Sequence, residues 1–375
     1  MKLWVVPLFI ALAFLLIIPS TAILFSNNSY FGTINLVYGQ SDQTNSNVTL
    51  IIHNIPVKKV HVGDIDIAYK TFGKGDPIFL FNGASDGMNA WDPSFLRSLS
   101  SNHTVIVFDS RGIGNTTTGT KPYTMQQLAN DTAGLMDALK IQKANVFGYS
   151  LGSAVAQQLT VTHPEKVSRL IIVAGSCDGK GSIPKPPEFI KLQSEVVNKS
   201  LNNIPVSKEE MKGLVSASLG SGWIRLHPES IVNIPDFQQA KPGLSPVTLN
   251  NQKNVGFAWE AANWNGACDE LVKIAKPTLV ITGTDDNLYI PHANSLILAG
   301  KIPGAWLVQI KDAGRPQQVD EYIIWGVANA TVCPSRVMIF FRAQSISCSK
   351  VTLAAFVWSF PLDNFVAVYG TVTQN

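Results

Sequence analysis

A serine lies between two glycines in the stretch NVFGYSLGSAVAQQ, residues 145–158. The pattern G-x-S-x-G, from Gly148 to Gly152, follows an apolar strand-like run and precedes a helix-like segment. Such a strand-to-helix turn requires small flanking residues and lifts the serine oxygen above the sheet. The pattern predicts that Ser150 is a nucleophile, and a serine hydroxyl needs a neighbouring base before it can attack.

Acyl transfer also needs N–H donors for the negative oxygen that develops in the transition state. The loop FNGASDGMNAW follows another apolar run, and Ala84 in this loop would present its N–H beside that of Leu151. The helix that starts at Leu151 directs its first N–H groups toward negative charge. We expect Ala84 and Leu151 to form an oxyanion hole, and the alternative is an ordinary Asn-Gly turn at Asn82 and Gly83.

A carboxylate that orients the base would stand at the end of a later strand. The stretch LVITGTDDNLYIP carries Asp285 and Asp286 at such a position, and we select Asp286. The alternative for these two residues is an Asp-rich turn or helix entry.

The elements that must position these residues alternate along the chain. Continuous apolar runs at 77–81 and 104–109 are typical of strands buried on both faces of a parallel sheet. Strand-like and helix-like segments then follow in turn, which predicts a doubly wound α/β fold. From about residue 176 to 260 a proline-rich stretch interrupts this alternation of strands and helices. Such an interruption is expected of a cap inserted over a pocket. A disulfide between Cys177 and Cys268 would clamp the two ends of this insertion.

Taken together, residues 60–314 resemble the α/β-hydrolase family, in its branch of small esterases, lactonases and cofactor-free haloperoxidase-like enzymes. The matching stretches include FNGASDGMNAW, VIVFDSRGIGNT, VFGYSLGSAVAQQL and KPTLVITGTDDNLYIPHANSLILAGKIPGAWLVQIKDAG. The resemblance implies a mostly parallel sheet with flanking helices and a helical cap. It also implies Ser150 as nucleophile, Asp286 as orienting acid, an oxyanion hole at Ala84 and Leu151, and a small ester or lactone as substrate. No metal and no organic cofactor are expected.

The family's histidine is absent from its usual position. It stands in an Ala-Gly-His turn after the last strand, where this chain reads DAGRPQQ with Arg315 in its place. Arginine stays protonated at any working pH and therefore cannot act as the base. His227 and His292 are the two candidates for a replacement. The sequence thus favours an impaired serine hydrolase, and the alternative is a catalytically inactive, hydrolase-like binding protein.

The family pattern stops at Arg315, and the atypical tail of residues 315–375 is apolar and rich in strand-forming residues. Two explanations stay open for the tail: a shift of the reading frame near codon 315, or a genuine C-terminal extension. A single His-to-Arg change would explain Arg315 but not the tail. Charged residues and Pro361 interrupt its apolar run, so we do not expect it to span a membrane.

The N-terminus predicts export. Lys2 precedes an uncharged apolar run that ends at Phe25, so residues 1–25 are expected to be a signal peptide or an uncleaved membrane anchor. Residues 26–47 are a polar tether, and the hydrolase-like domain covers 48–314. We therefore expect an extracytoplasmic protein, secreted or bound to the membrane through this segment. The net charge of +3 is too small to favour nucleic acid as a partner.

Overall fold

The computed structural model describes residues 54–202, 204–226, 228, 231, 246–260, 267–310 and 313–314, and the strand segments 354–356 and 366–370. The strands in these residues are β1 (Lys58–Val62), β2 (Ile65–Gly73), β3 (Asp76–Phe81), β4 (His103–Phe108), β5 (Ala144–Tyr149), β6 (Val167–Val173), β7 (Thr278–Gly283), β8 (Trp306–Ile310), β9 (Ala354–Phe356) and β10 (Val366–Gly370). They form one sheet in the order β1-β2-β4-β3-β5-β6-β7-β8-β10-β9.

The centre of the sheet is parallel, and its two edges are antiparallel. Strands β3 to β8 all run in the same direction, whereas β1, β2, β9 and β10 pair antiparallel with their neighbours. The parallel strands are covered on both faces, which is why their sequences are continuous apolar runs rather than alternating ones. In β5, for example, every residue is buried.

The α-helices of the described residues fall into two groups. Four accompany the sheet: α1 (Pro93–Ser100), α2 (Met125–Ala138), α3 (Leu151–Thr162) and α8 (Ala293–Lys301). The other four lie between β6 and β7 in the chain and form the cap: α4 (Pro187–Leu201), α5 (Lys208–Leu219), α6 (Ser221–Leu226) and α7 (Pro246–Glu260). The expected mostly parallel sheet with flanking helices and an inserted helical cap is confirmed.

Local sequence signals explain where several helices begin. The Thr124 hydroxyl accepts a hydrogen bond from the Gln127 N–H at 3.0 Å and so caps α2. Ser207 and Glu210 form a reciprocal capping box at the start of α5. The faces of α2 and α3 that pack on the sheet contribute Leu128, Met136 and Leu159, among others, to the apolar core.

The order of the strands creates a crevice. Strand β3 pairs with β4 on one side and with β5 on the other, so the connections that leave β3 and β5 diverge in opposite directions. Ligands of open α/β sheets bind at such a switch point, outside the carboxyl ends of the strands. Ser150 follows β5, and the loop that contains Ala84 follows β3. Both therefore lie at this crevice.

Several predicted features lie outside the described residues, among them the N-terminal segment 1–25, the tether 26–47 and residue 315 of the atypical tail. In the part of the chain that the structure describes, no helix is both long and apolar enough to cross a membrane. Strand β10, from the tail, pairs along its backbone with β8, with Val366 opposite Ile310.

Candidate active site

Ser150 occupies a strained turn between β5 and α3. Its backbone has φ 54° and ψ −121°, a region that residues with a side chain rarely adopt. Its N–H donates to the carbonyl of Val173 on β6 at 3.0 Å, which ties the turn to the sheet. The side chain is thereby held at the carboxyl edge of the sheet, above the end of β5.

The two glycines beside Ser150 are required by close contacts. A Cβ at Gly148 would lie 2.6 Å from the Ser153 Cα and 2.8 Å from the Ala156 Cβ. A Cβ at Gly152 would overlap the carbonyl oxygen of Phe81 on β3. The small residues of the G-x-S-x-G pattern therefore let α3 pack closely against β5, which precedes it, and against the neighbouring strand β3.

The register of β3 against β5 brings the predicted oxyanion donors together. Phe81, the last residue of β3, is paired with Gly148, so the loop after Phe81 leaves the sheet beside the Ser150 turn. The N–H groups of Ala84 and Leu151 donate to no acceptor among the described residues, and both residues line the same cavity. Two such N–H groups at one cavity can stabilise an oxygen that becomes negative there.

A set of polar contacts supports this loop from below. The Asn82 side chain donates to the Gly87 carbonyl at 2.7 Å and closes the loop. The Asp109 carboxylate accepts from the Met88 N–H at 2.7 Å and from the Asn115 N–H at 2.9 Å. Burial raises the pKa of Asp109, and these two N–H groups oppose that change by stabilising the carboxylate. Sequence reasoning missed Asp109, although it stands in the quoted FDSRG stretch.

Lys70 on β2 belongs to the same support. It is buried, and its ammonium donates to the Asn89 side-chain oxygen at 3.0 Å. Burial lowers the pKa of Lys70, and the charge of Asp109 works against this decrease. No sequence signal distinguishes Lys70 from an exposed lysine of an edge strand.

A cavity of about 380 Å³ lies over Ser150. The sheet edge contributes Ala84, Ser150, Leu151 and Ser176, and the cap and the loop after β7 contribute Gln193, Val197, Leu214, Ser218, Gln252, Trp259, Tyr289 and Ile290. This volume is in the range of pockets that hold small molecules. The cap helices therefore close over the crevice and leave room for a small ligand against the serine.

The two adjacent aspartates after β7 have different surroundings. The Asp285 carboxylate accepts from the Ser221 hydroxyl at 2.7 Å and from the Gly222 N–H at 2.9 Å, so it holds the start of α6. Asp286 is fully buried, and its carboxylate accepts from the Ile290 N–H at 3.1 Å. Asp285 thus has a structural partner in the cap, whereas Asp286 remains the candidate for the orienting acid.

Gly314 directly precedes residue 315, the position at which the family's histidine is expected, and its backbone is held against the cap. Its N–H donates to the Leu219 carbonyl at the end of α5 at 3.0 Å, and the Asp285 N–H donates to the Ala313 carbonyl at 2.8 Å. A Cβ at position 314 would overlap the backbone of Ser218, a residue of the cavity wall. The chain is therefore anchored beside the aspartate loop immediately before it enters Arg315, which lies outside the described residues.

The histidines offer no substitute in the described part of the chain. His61, His103, His163 and His292 are described, and none of them lines the cavity. The backbone N–H of His292 donates to the Asp286 carbonyl at 2.6 Å, at the entry to α8. The other candidate for a replacement, His227, lies outside the described residues.

Cys177 and Cys268 form a disulfide, as the sequence predicts, with their Cα atoms 4.9 Å apart. Both residues are buried, and the Ala267 N–H donates to the Cys177 carbonyl at 2.9 Å. The bond therefore joins the point where the chain leaves the sheet for the cap to the point where it returns. Among the described residues, no group of three or more His, Cys, Asp or Glu side chains is placed to bind a metal ion.

The chain is similar to known proteins in both sequence and structure. Residues 76–322 match the family model of the alpha/beta hydrolase fold. A poly(3-hydroxyalkanoate) depolymerase of Ectopseudomonas oleovorans is 30% identical over 238 residues, which cover 63% of this chain and 77% of the relative. Among solved structures, the N-acyl homoserine lactone degrading enzyme Est816 is 26% identical with a TM-score of 0.56, covering 71% of this chain and 98% of its own. A thermophilic esterase of Thermogutta terrifontis is also 26% identical with a TM-score of 0.56, covering 72% of this chain and 96% of its own.

Proposed function

This chain belongs to the α/β-hydrolase family, and from that premise we propose that it is an exported serine hydrolase of carboxylic esters or lactones whose catalysis is impaired by Arg315. The observation that carries the proposal is the position of Ser150, in a strained turn that faces a cavity beside two N–H groups with no acceptor among the described residues. The esterase and lactone-degrading relatives support this substrate class.

The reaction has two steps. The Ser150 oxygen attacks the substrate carbonyl carbon, and the C–O bond to the alcohol breaks to give an acyl-enzyme. In a lactone this alcohol stays attached to the acyl group. Water then attacks the acyl-enzyme, releases the acid and restores the serine. In both steps the N–H groups of Ala84 and Leu151 would stabilise the negative carbonyl oxygen.

Both steps require a base that takes a proton from serine or water and returns one to the leaving group. Asp286 would orient that base and stabilise its protonated form. The arginine at position 315 keeps its own proton and performs neither task. Loss of one member of such a triad lowers the rate by several orders of magnitude, while the oxyanion hole and substrate binding preserve a residual activity.

A serine-directed fluorophosphonate and a panel of p-nitrophenyl esters and lactones test the proposal on the natural chain, Arg315→His and Ser150→Ala. We expect Arg315→His to raise kcat/KM at pH 8 by at least about 100-fold, because a histidine after Gly314 supplies the missing base. Ser150→Ala should abolish both labelling and turnover. Labelling that persists in Ser150→Ala would contradict the assignment of the nucleophile.

The arginine at position 315 also leads to a second candidate function. Without a base, the capped cavity is suited to hold a small molecule without converting it. This binding function would replace the hydrolase proposal if well-folded natural chain and Arg315→His protein both failed to react with the probe and with every ester and lactone, while a ligand raised their Tm.

Export is the remaining part of the proposal. It rests on the apolar run of residues 3–25 and is supported by the Cys177–Cys268 disulfide, because such bonds persist in oxidising compartments. Fractionation of cells that produce the full chain would detect the protein outside the cytoplasm. Recovery of all of it in the cytoplasmic fraction would refute export.

The tail is addressed most directly at the level of DNA. Sequencing codons 305–325 from the source organism would distinguish a shifted frame from a genuine extension. A frame that restores histidine at position 315 would make the natural enzyme fully active, and a confirmed Arg315 would support the impaired form described above.

A further inference from the structure

The cap reaches the oxyanion-hole loop through one side chain. Gln252 on α7 is buried and lines the cavity, and its side-chain oxygen accepts a hydrogen bond from the backbone N–H of Ser85 at 2.5 Å. Ser85 directly follows Ala84, the predicted oxyanion donor. The bond joins two residues 167 positions apart in the chain, one in the cap and one at the sheet edge.

The loop needs such a contact because its backbone is strained. Ser85 has φ 65°, in the left-handed region, and non-glycine residues stay there only when their surroundings hold them. Within the loop, the Asp86 N–H donates to the Gly83 carbonyl at 3.3 Å. Gln252 fixes the peptide that joins Ala84 to Ser85 from the other side, and a fixed peptide restricts the direction of the neighbouring Ala84 N–H.

We propose that Gln252 is a positioning residue that couples closure of the cap to assembly of the oxyanion hole. The contact to Ser85 exists only while α7 lies over the cavity. When the cap opens to admit substrate, the Gln252 oxygen moves away from the Ser85 N–H. When the cap closes on the bound substrate, this hydrogen bond forms again and the loop regains its full hydrogen-bonded geometry. The catalytic consequence rests on the proposed serine hydrolase function, whereas the coupling of cap and loop does not.

Three variants of the full chain separate this role from a general effect on folding. Gln252→Met keeps the size of the side chain and removes the acceptor, and Gln252→Glu keeps an acceptor oxygen. Thr248→Val is the matched control, since Thr248 lies one turn earlier on α7, is buried, and does not line the cavity. Thermal unfolding of each variant records any change in global stability.

The first readout is hydrogen–deuterium exchange of the peptide that covers residues 82–88. We expect faster exchange in Gln252→Met, and exchange like that of the natural chain in Gln252→Glu and Thr248→Val. The second readout is the rate constant of Ser150 labelling by the fluorophosphonate, in the natural and Arg315→His backgrounds. Gln252→Met should lower this rate at least about tenfold, because small displacements of a catalytic donor have large effects on rate. Thr248→Val should leave it unchanged.

Unchanged loop exchange in Gln252→Met would overturn the coupling. Faster exchange with an unchanged labelling rate would overturn the catalytic consequence. If Ser150 reacted in neither background, the serine hydrolase proposal would fail on its own, and the exchange of residues 82–88 would still decide whether the cap holds the loop.

Discussion

Backbone strain at single residues is concentrated around the cavity. The structure describes five non-glycine residues with positive φ, namely Ser85, Lys140, Ser150, Ala174 and Asp178. Three of them, Ser85, Ser150 and Asp178, line the cavity. Such conformations destabilise the folded state by roughly 1–3 kcal/mol each and persist where the surrounding structure holds them, which is typical of functional sites. The strain at Ser150 is therefore a measurable property of the candidate nucleophile.

The first prediction concerns this strain. Ser150→Gly should have a higher free energy of unfolding than Ser150→Ala, by about 1 kcal/mol, because glycine adopts φ 54° without a steric penalty. Urea denaturation of both variants measures the difference, and loss of probe labelling in both confirms that the nucleophile has been removed. Equal stabilities would show that the turn is not strained.

A second prediction separates the two aspartates after β7. Asp285→Asn weakens the contacts that hold the start of α6 and should lower the free energy of unfolding by about 1 kcal/mol. In the Arg315→His background, Asp286→Asn should instead lower kcat by up to about 10⁴-fold, because the base loses its orienting carboxylate. Urea denaturation and ester kinetics of both variants test this division. A larger loss of kcat in Asp285→Asn would reverse the assignment.

At the scale of elements, the candidate site is made by the carboxyl ends of the parallel strands β3, β5 and β7. The turn after β5 supplies Ser150, the loop after β3 supplies Ala84, and the loop after β7 supplies Asp286. The cap must then remain over this edge, and several contacts hold it there. They include the hydrogen bonding of Asp285 to α6, the bond between Gln252 and Ser85, and the disulfide at the base of the insertion.

The third prediction concerns the disulfide. Protein unfolded without reductant should show two fewer reactive thiols than protein unfolded after reduction. The double variant Cys177→Ala/Cys268→Ala should lose about 2–5 kcal/mol of stability, because the bond closes a long loop in the unfolded chain. Thiol counts and urea denaturation test both statements, with Cys333→Ala/Cys348→Ala as the matched control. Equal thiol counts would show that the bond does not form.

At the scale of the whole molecule, a buried arginine joins three distant segments. Arg111, in the loop after β4, donates to both oxygens of Asp131 on α2 at 2.7 and 2.8 Å. It also donates to both oxygens of Asp64, in the turn between β1 and β2, at 2.8 and 2.9 Å. The guanidinium holds the pKa of Asp64 well below its usual range. A charge buried in this way is expensive to leave unpaired, so the network constrains how these segments pack.

The fourth prediction follows from the sign of that shift. A carboxyl whose pKa is lower in the folded state stabilises the fold at pH values above its ordinary pKa, near 3.8, and this contribution is lost as the pH falls through the lower, folded-state pKa. The stability of the natural chain should therefore fall more steeply below about pH 4 than that of Asp64→Asn, in which Arg111 remains paired with Asp131.

Urea denaturation between pH 7 and pH 2 measures this difference. Asp66→Asn is the control, because Asp66 forms an ion pair with the exposed His61 near the same turn and lies outside the Arg111 network. Parallel curves for the natural chain and Asp64→Asn would refute a large shift at Asp64.

The sequence by itself determined the central strands of the sheet and the serine turn. Apolar runs at 77–81 and 104–109 correspond to β3 and β4, and PTLVITG at 277–283 corresponds to β7. These features can be predicted because strand burial, helix entry and tight turns each depend on residues that are close together in the chain. The resemblance selected Ala84, Leu151 and Asp286 in the same way, since each stands at a fixed distance from the end of a strand.

Only the tertiary structure decided which groups support the site. It places Asp285 against α6, Gln252 against Ser85, and Gly314 against Leu219. Each of these contacts joins segments that are far apart in the chain, and the cap that contributes to them has no informative sequence pattern. A local motif indicates which residue can react. The orientation of the neighbouring groups depends on contacts between segments that are distant in the chain, and such contacts require no fixed spacing in the sequence.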